Sequence, residues 1–367
     1  MKKKLNFGIL AIMGVVVFSA CGSDSDLFDP EKAAAKKEAQ YASAFVQKYG
    51  EIAVDQDWGF GATPTTRVVI KDDEYPLNGD IISPSEITSD EKEMVSKWFA
   101  EHQNPESIDI NWTDFTIQHV NSTGYGSKMN LLYAGEDHVK DFNSGSGGRW
   151  RLVKEGKSTF SYHNSEDSKM HSKYTIRYIN GSYYVGFDYE ANGQNPNQQV
   201  AADGYYNDWI LKICPAVYTN SYRIIAEDLG DSDDFDFNDV VFDVATNGGA
   251  TIITLQAAGG TLPLYIEVGG DSREVHELFG VSNTTMVNTG AGATKAPVMY
   301  RVNGTGAVNI KVEGQNAEVY TLKAEIGKAP QKIRVETRYE WTTERQDIND
   351  KYSGFANWVA NPTANWY

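Results

Sequence analysis

The chain has 367 residues, of which 50 are Asp or Glu and 33 are Lys or Arg, so its formal net charge is −17. This excess of acid argues against nucleic-acid binding, because polyanions are bound by basic surfaces. A hydrophobic content of 41% excludes a disordered composition, and 33 glycines with 21 tyrosines favour β-structure with many turns.

Residues 1–20 are predicted to be a lipoprotein signal peptide. Three lysines at positions 2–4 precede an apolar run over residues 7–18, which is too short to span a bilayer but suits a secretory signal. The run ends in Phe-Ser-Ala-Cys at Cys21, which resembles a lipobox. We therefore expect Cys21 to be lipidated and to hold the chain on outer-membrane lipid. The alternative is a simple signal peptide with an incidental cysteine.

The short acidic stretch after Cys21, Gly-Ser-Asp-Ser-Asp at residues 22–26, resembles the surface-export tags of Bacteroidetes lipoproteins. It predicts a chain that faces the cell exterior, whereas the alternative is an ordinary polar linker. With Cys21 assigned to lipid, Cys214 is the one other cysteine. No disulfide framework is then expected, and Cys214 is predicted to be a buried, inert thiol.

Three segments are predicted to be helical. Residues 30–49 are rich in Ala, Lys and Glu, and Asp29 stands where an N-cap is needed. Residues 84–102 offer Ser85, Ser89 and Asp90 as caps and place apolar side chains close to one face. Residues 346–360 carry aromatic side chains at a spacing that predicts a helix docked on the core.

The middle of the chain alternates with a period of two and predicts many short strands. Asn180-Gly181 between two of them is a strong hairpin signal. Evenly spaced strands predict a mainly β protein with a β-sandwich or jelly-roll ectodomain. The predicted strands cover residues 114–120, 174–179, 183–188, 207–214, 222–226, 240–244, 251–255, 262–268, 308–312, 319–324 and 332–337. The predicted divisions are a signal peptide (1–20), a tether with the N-terminal helix (21–66), a β-rich domain (67–220) and a second β domain with the C-terminal helix (221–367).

One pattern occurs twice, 31 residues apart. Asp-x3-Asn-Asp followed by an apolar strand begins at Asp203 and again at Asp234, and each copy follows a strand that ends in acids. The repeated unit is therefore a strand, an acidic loop, Asn-Asp and a second strand.

The second copy concentrates acid and predicts a structural calcium site. Residues 227–243 hold eight Asp or Glu and no base, and such carboxylates repel one another unless a cation screens them. Ca²⁺ accepts carboxylate, amide and backbone oxygens. The spacing does not fit an EF-hand, and the alternative is a solvated loop whose Asn and Asp side chains cap turns. The candidate ligands are Glu227, Asp228, Asp231, Asp234, Asp236, Asn238 and Asp239, with Asp188, Asp203, Asn207 and Asp208 of the first copy in second place.

These residues also carry a family resemblance. The stretch AEDLGDSDDFDFNDVVFDV at residues 226–244, with LQAAGGTLPLYIE and MVNTG downstream, resembles the LruC-type domain of Bacteroidetes surface lipoproteins. The likeness covers most of residues 55–367. It implies a β-rich, outer-surface lipoprotein and implies no particular activity.

The sequence favours a non-enzymatic surface protein that binds a glycan or a protein partner. No nucleophile elbow or P-loop is present. A surface carbohydrate-active enzyme, for which Trp112, Trp150, Trp209 or Trp341 would form a sugar platform, is one alternative. A fimbria-like assembly subunit, which would need an unpaired edge strand, is the other.

Overall fold

The protein is described by a computed structural model, which covers residues 29–61, 80–125, 128–133, 149–153, 159–230, 234–316 and 318–367. It is mostly β, with 35% strand and 17% helix, so the predicted mainly β class is confirmed. The predicted signal peptide, Cys21 and Asp231 lie outside the described residues.

The first half of the chain forms two antiparallel sheets that face each other over one core. Buried Phe115 and Trp209 from the larger sheet meet buried Leu131 and Tyr162 from the smaller one. The larger sheet has the order β3-β1-β10-β7-β6 and the smaller one β2-β4-β5, while β8 and β9 form a separate ribbon. The strands are β1 (Asp114–Ser122), β2 (Met129–Tyr133), β3 (Arg149–Val153), β4 (Phe160–Asn164), β5 (Met170–His171), β6 (Tyr174–Ile179), β7 (Ser182–Phe187), β8 (Ala191–Asn192), β9 (Gln199–Val200) and β10 (Trp209–Pro215).

The second half forms a five-stranded and a four-stranded sheet, with the orders β16-β13-β12-β11-β19 and β15-β14-β17-β18. Buried Ile224, Phe242 and Leu255 of the first sheet share a core with Ile266 and Ile310 of the second, which is consistent with the predicted β-sandwich. The strands are β11 (Tyr222–Ala226), β12 (Val240–Asn247), β13 (Ala250–Ala257), β14 (Leu264–Val268), β15 (Asp271–Glu274), β16 (Val298–Asn303), β17 (Val308–Glu313), β18 (Val319–Thr321) and β19 (Lys332–Val335).

The first half (β1–β10) contacts the second half (β11–β19) through the outer face of the sheet β16-β13-β12-β11-β19. Trp112 Nε1 donates to the carbonyl of Pro297 at 2.8 Å, and Asn111 bridges to Val298 at the edge of β16. Ile252 and Met299 of the second half belong to the core of the first half. A shared apolar interface therefore joins the halves.

Helix α1 (Pro30–Tyr49) has the predicted bounds, because Asp29 accepts from the backbone N–H groups of Glu31 and Lys32 and Gly50 ends the helix with φ at 90°. The helix packs against the second half of the chain. Tyr41 donates to the carbonyl of Pro330 at 2.7 Å, and the buried face of α1 belongs to the sandwich core. The predicted tether segment therefore contains a helix that is part of that core.

Two predicted helices differ from those observed. Helix α2 (Ser89–Glu101) begins after residue 84 because Thr88 supplies the cap, accepting from the N–H of Glu91. The predicted helix over 346–360 is wrong as a single element. It is two helices, α4 (Ile348–Lys351) and α5 (Phe355–Ala360). They are separated at Gly354, where a Cβ would lie 3.0 Å from the Cα of Trp366. Helix α3 (Val275–Phe279) was not predicted.

Each predicted strand overlaps an observed one, although 262–268 begins at Leu264 and 319–324 ends at Thr321. The Asn180-Gly181 hairpin is confirmed: Ile179 pairs with Ser182, and both turn residues have positive φ, 47° and 85°, as a type I′ turn requires. The unpredicted strands are β2, β3, β4, β5, β8, β9, β15 and β16.

Three single residues also bear on the predictions. Trp112 and Trp209 are fully buried, so neither is available as a sugar platform. Cys214, at the end of β10, is partly exposed as a residue, but burial raises the pKa of its thiol, in agreement with the buried, inert thiol that was predicted. In the described part of the chain, no helix combines the length and apolar character needed to cross a membrane.

His119 on β1 gives the first half a predicted pH dependence. Burial, with a smaller effect of Lys92, lowers its pKa, and its Nδ1 accepts from Trp209 Nε1 at 3.3 Å, so the folded state favours neutral imidazole. The unfolded state binds a proton once the pH falls below about 6.5, so this contribution to stability is lost as the pH falls through that value. His119→Asn should flatten the fall in the urea midpoint between about pH 7.5 and 5.5. Exposed His102→Asn is the control, and parallel wild-type and His119→Asn profiles would refute the prediction.

Candidate metal centre

The second acidic repeat lies in the loop between β11 and β12. Ala226, the last residue of β11, pairs with Val240, the first residue of β12. Glu227 therefore leaves one strand beside the point where Asp239 enters the other. The antiparallel pairing brings the two ends of the acidic loop together.

Three carboxylates of this loop converge. Glu227, Asp234 and Asp236 each offer an oxygen, and these oxygens lie within 4.8 Å of one another. Glu227 and Asp236 are each 2% exposed, whereas Asp234 is half-buried. Oxygen ligands in this number and spacing are suitable for a hard divalent cation.

The backbone conformation of residues 234–237 places alternate side chains in the core and in the carboxylate cluster. Phe235 and Phe237 both adopt left-handed φ values, 56° and 53°, which bulky residues rarely do. Their rings are buried in the sandwich core, while the alternating residues Asp234 and Asp236 supply carboxylates to the cluster. Aromatic packing therefore stabilises a costly backbone conformation that groups the acids.

Backbone N–H groups orient two of the three carboxylates. Glu227 Oε1 accepts from Phe237 N at 2.5 Å. Asp236 accepts from Asn238 N at 3.0 Å through Oδ1 and from Arg345 N at 2.8 Å through Oδ2. The carboxylates are thereby fixed in position without any side-chain cation.

Asp239 and Asp228 lie in the same loop as the three converging carboxylates, and both accept hydrogen bonds from backbone N–H groups. Asp239 Oδ2 accepts from Asp228 N at 2.7 Å. Asp228 accepts from Gly230 N at 2.6 Å and from Leu262 N at 3.4 Å. Neither residue belongs to the group of three that converge. Both therefore act in the structure as acceptors that close turns, as in the solvated-loop alternative.

Asn238 is fully buried and only half satisfied. Its Nδ2 donates to the carbonyl of Thr342 at 3.3 Å, but its Oδ1 has no hydrogen-bond partner among the described residues. A Cβ on Gly259 would lie 2.1 Å from that oxygen, so only glycine fits there. The loop thus contains an unpaired buried acceptor next to the carboxylates, and such groups are costly.

The electrostatics of the cluster are unbalanced. Burial raises the pKa of Glu227 well above its ordinary value, and the charges of Asp239, Asp236 and Asp234 raise it further. Burial, followed by Asp228, likewise raises the pKa of Asp239, and burial with the charge of Asp234 raises the pKa of Asp236 to about 7. The folded state therefore favours protonation of these carboxylates, or a cation beside them, over three unscreened negative charges.

Nearby basic side chains do not neutralise the negative charge of this carboxylate cluster. No ion pair among the described residues includes Glu227, Asp234 or Asp236. Burial raises the pKa of Asp234, and the charges of Lys48 and Arg345, which lower it, do not offset that burial. Lys48 donates to the backbone carbonyl of Asp234 at 3.3 Å while its ammonium forms an ion pair with Asp347. The charge of Lys48 is thus already paired with another carboxylate.

The first repeat reproduces the hairpin but not the cluster. Trp209 pairs with Phe187 just as Val240 pairs with Ala226, and Asp208 Oδ2 accepts from Tyr189 N at 2.8 Å just as Asp239 accepts from Asp228 N. The shared Asn-Asp spacing therefore encodes a common way of closing the loop.

The other acids of the first repeat are also used by the backbone. Asp188 accepts from the N–H groups of Asp203 and Gly204, at 3.2 and 2.8 Å, and Asp203 accepts from Tyr205 N. Asn207 is half-buried, and burial raises the pKa of Asp208 to about 6. Within the described ranges, these residues form no group of three potential metal ligands.

Sequence reasoning missed the distant residues that close the second loop. Thr342 donates to the carbonyl of Asp236, Ile348 N donates to the carbonyl of Phe235 at 2.9 Å, and Tyr49 donates to Asp347 at 2.8 Å. These contacts come from the end of α1, from Thr342 and from the start of α4. No local motif marks them, because they depend on how the chain ends pack.

Comparison of the chain with protein-family models, with curated proteins and with solved structures found no match. The resemblance to LruC-type lipoproteins therefore stays a prediction from the sequence.

Proposed function

We propose that this chain is an outer-membrane surface lipoprotein, lipidated at Cys21, whose β-sandwich ectodomain is stabilised by Ca²⁺ and acts as a binding or adhesion module. Its partner would be a glycan or another surface protein. The observation that carries the metal proposal is the convergence of Glu227, Asp234 and Asp236 within 4.8 Å, two of them buried and none ion-paired among the described residues.

Calcium fits this donor set better than a transition metal. The converging groups are carboxylates only, which suit hard cations, whereas His and Cys ligands favour zinc and copper. Three converging carboxylates leave positions for backbone oxygens or water, since Ca²⁺ takes about 6–8 oxygens. A structural ion at this place would neutralise the acidic loop next to the packed ends of α1 and α4.

Two observations favour a binding module over the alternatives. Burial of Trp112 and Trp209 removes two tryptophans from any exposed sugar-cleaving cleft. The outer edges of β6 and β19 are already bonded by loops, through Ile108 N to the carbonyl of Ile176 and Arg334 N to the carbonyl of Trp58. These two edges are therefore not open for the strand addition that a fimbria-like subunit needs.

Melting the full-length protein in detergent with calcium or with EDTA tests the metal proposal. A ligand that binds only the folded state at 100 times its Kd adds about 2.7 kcal/mol, which corresponds to a rise in Tm of roughly 5–10 °C for a domain of this size. Magnesium at the same concentration is the control and should give a smaller rise, because it demands stricter octahedral geometry. Identical curves in calcium and EDTA would refute a structural calcium site.

A further inference from the structure

A second candidate site lies between the two halves of the molecule. A cavity of about 230 Å³ separates the end of β10 from the outer face of the β11–β12–β13 sheet. Ile213 and Cys214 line one side, and Arg223, Asp243 and Gln256 line the other. The cavity is distinct from the acidic loop, none of whose residues line it.

The wall formed by the second sheet carries a buried polar network. Arg223 binds Asp243 with two parallel bonds, Nε to Oδ1 at 2.7 Å and Nη2 to Oδ2 at 2.9 Å. Gln256 Nε2 donates to Asp243 Oδ2 at 2.8 Å, and Arg223 Nη1 donates to the carbonyl of Tyr339 at 2.5 Å. The network has no net charge, because the guanidinium and the carboxylate neutralise each other.

This network has both donor and acceptor positions that the hydrogen bonds described above do not use. A carboxylate offers about four acceptor positions and a guanidinium five N–H groups, and the bonds described occupy three of each. The wall can therefore both accept from and donate to a ligand. A hydroxyl group does both at once, whereas a charged ligand would leave an uncompensated charge in a partly buried site.

The remaining walls include apolar surface, and the space is small. Ala245, Ile252 and Pro297 contribute apolar surface, which suits the C–H face of a sugar ring. Drug-sized ligands occupy pockets of about 300–1,000 Å³, so this cavity suits a single ring. We propose that it binds one neutral pyranose unit of a glycan, with the sugar hydroxyls on Arg223 and Asp243. This inference rests on the glycan branch of the proposed function.

The mouth of the cavity leaves room for the rest of a glycan. Ser182 and Lys212 also line a neighbouring pocket of about 420 Å³ that reaches Thr88 at the start of α2. Lys212 is neutralised there by Glu91, at 2.6 Å. Asp90 also lines that pocket, so the path out of the cavity continues through a polar pocket with one acid beyond the Lys212–Glu91 pair.

Calorimetric titration of the full-length protein in detergent micelles tests this proposal. The probes are the methyl glycosides of glucose, galactose, mannose and N-acetylglucosamine at millimolar concentration, with methyl glucuronide as the charged comparison. We expect at least one neutral glycoside to bind and the glucuronide not to bind. Ser182→Trp, which fills the mouth, should weaken binding by about tenfold or more, equivalent to about 1.4 kcal/mol, while Ser182→Ala should bind like the wild type. Absence of neutral binding, or equal binding by Ser182→Trp, would overturn the proposal.

Cys214 supplies a second measurement that needs no substitution in the cavity. Cys214 lines the wall and is partly exposed as a residue, and burial raises the pKa of its thiol, so methyl methanethiosulfonate should modify it slowly in the free protein. A saturating neutral glycoside should slow this modification severalfold, and an unchanged rate during saturation would place the sugar elsewhere.

Failure of this inference is distinguishable from failure of the proposed function. If calcium raises the Tm but the glycoside leaves the Cys214 rate unchanged, the cavity assignment fails and the calcium-stabilised module stands. If the glycoside protects Cys214 and calcium does not change the Tm, the structural metal fails and the sugar site stands.

Discussion

Replacing Phe45 with alanine is expected to lower the free energy of unfolding by about 3–5 kcal/mol, a large part of the stability of an ordinary domain. Phe45 is fully buried on α1, and its ring lies where α1, the acidic loop and α5 meet. Removing it would leave a cavity that these three elements could not all close at once. The surrounding rings are those of Tyr41, Tyr49, Trp58, Phe235 and Phe355, with centroids 4.8–6.4 Å away.

Urea unfolding followed by tryptophan fluorescence measures this loss. Tyr178→Ala is the matched control, because Tyr178 is 46% exposed and its loss should cost less than about 1 kcal/mol. Similar midpoints for Phe45→Ala and the wild type would mean that α1 is only a tether. A large loss would establish that the helix nearest the predicted lipid anchor is needed to hold the sandwich together.

Local sequence signals were sufficient to predict the elements whose conformation depends on residues close together in the chain. Helix α1 was predicted from its composition and from Asp29, and that cap is observed. The β6–β7 hairpin followed from Asn180-Gly181, because few other dipeptides tolerate two positive φ values in succession. The repeated Asn-Asp spacing likewise predicted the same strand, acidic loop and strand unit twice, and in the structure both units close as antiparallel pairs.

Elements that depend on pairing partners were missed. Strand β15 reads Asp-Ser-Arg-Glu and has no apolar alternation, yet it is a strand because the Gly269-Gly270 turn folds it onto β14. Strand β4 does alternate, with Phe160 and Tyr162 buried in the first core, so its signal was present in the sequence and was overlooked. The break before α5 was missed although Gly354 stands there; Tyr352, which ends α4, has non-helical φ and ψ values of −124° and 82°.

In the candidate site, too, the sequence predicted some features and could not predict others. Charge density identified Glu227, Asp234 and Asp236, but it could not separate them from Asp228 and Asp239, which the backbone uses to close turns. That distinction depends on left-handed φ values and on bonds from distant segments. Charge patterns thus indicate which loop concentrates acid, whereas long-range packing decides which of its carboxylates converge.

Glu227→Gln is expected to raise the melting temperature in EDTA and to lower it in calcium, each relative to the wild type. The substitution keeps the side-chain length and an oxygen that can accept from Phe237 N, as Glu227 Oε1 does. It also removes one negative charge from a cluster that burial and neighbouring acids already destabilise. In EDTA the variant should therefore melt at a higher temperature than the wild type. In calcium it should melt at a lower one, because it lacks an anionic ligand.

The sign in EDTA follows from proton binding. Glu227 has an ordinary pKa of 4.5 that the folded state raises. The folded state therefore binds more protons than the unfolded state above that value, and stability falls as the pH rises towards the raised pKa. Glutamine does not titrate, so the variant should lose less stability between about pH 5 and 8.

In calcium, loss of an anionic ligand should weaken binding by about 100-fold, since even outer-shell substitutions at metal sites cost about 10–100-fold. Glu101→Gln is the control: its carboxylate is 58% exposed on α2, and its loss should shift both melting curves little. A Glu227→Gln variant that is less stable than the wild type in EDTA and gains as much from calcium would assign Glu227 a packing role only. The crossing of the two responses is the signature that a carboxylate cluster bound to a cation gives and a solvated acidic loop does not.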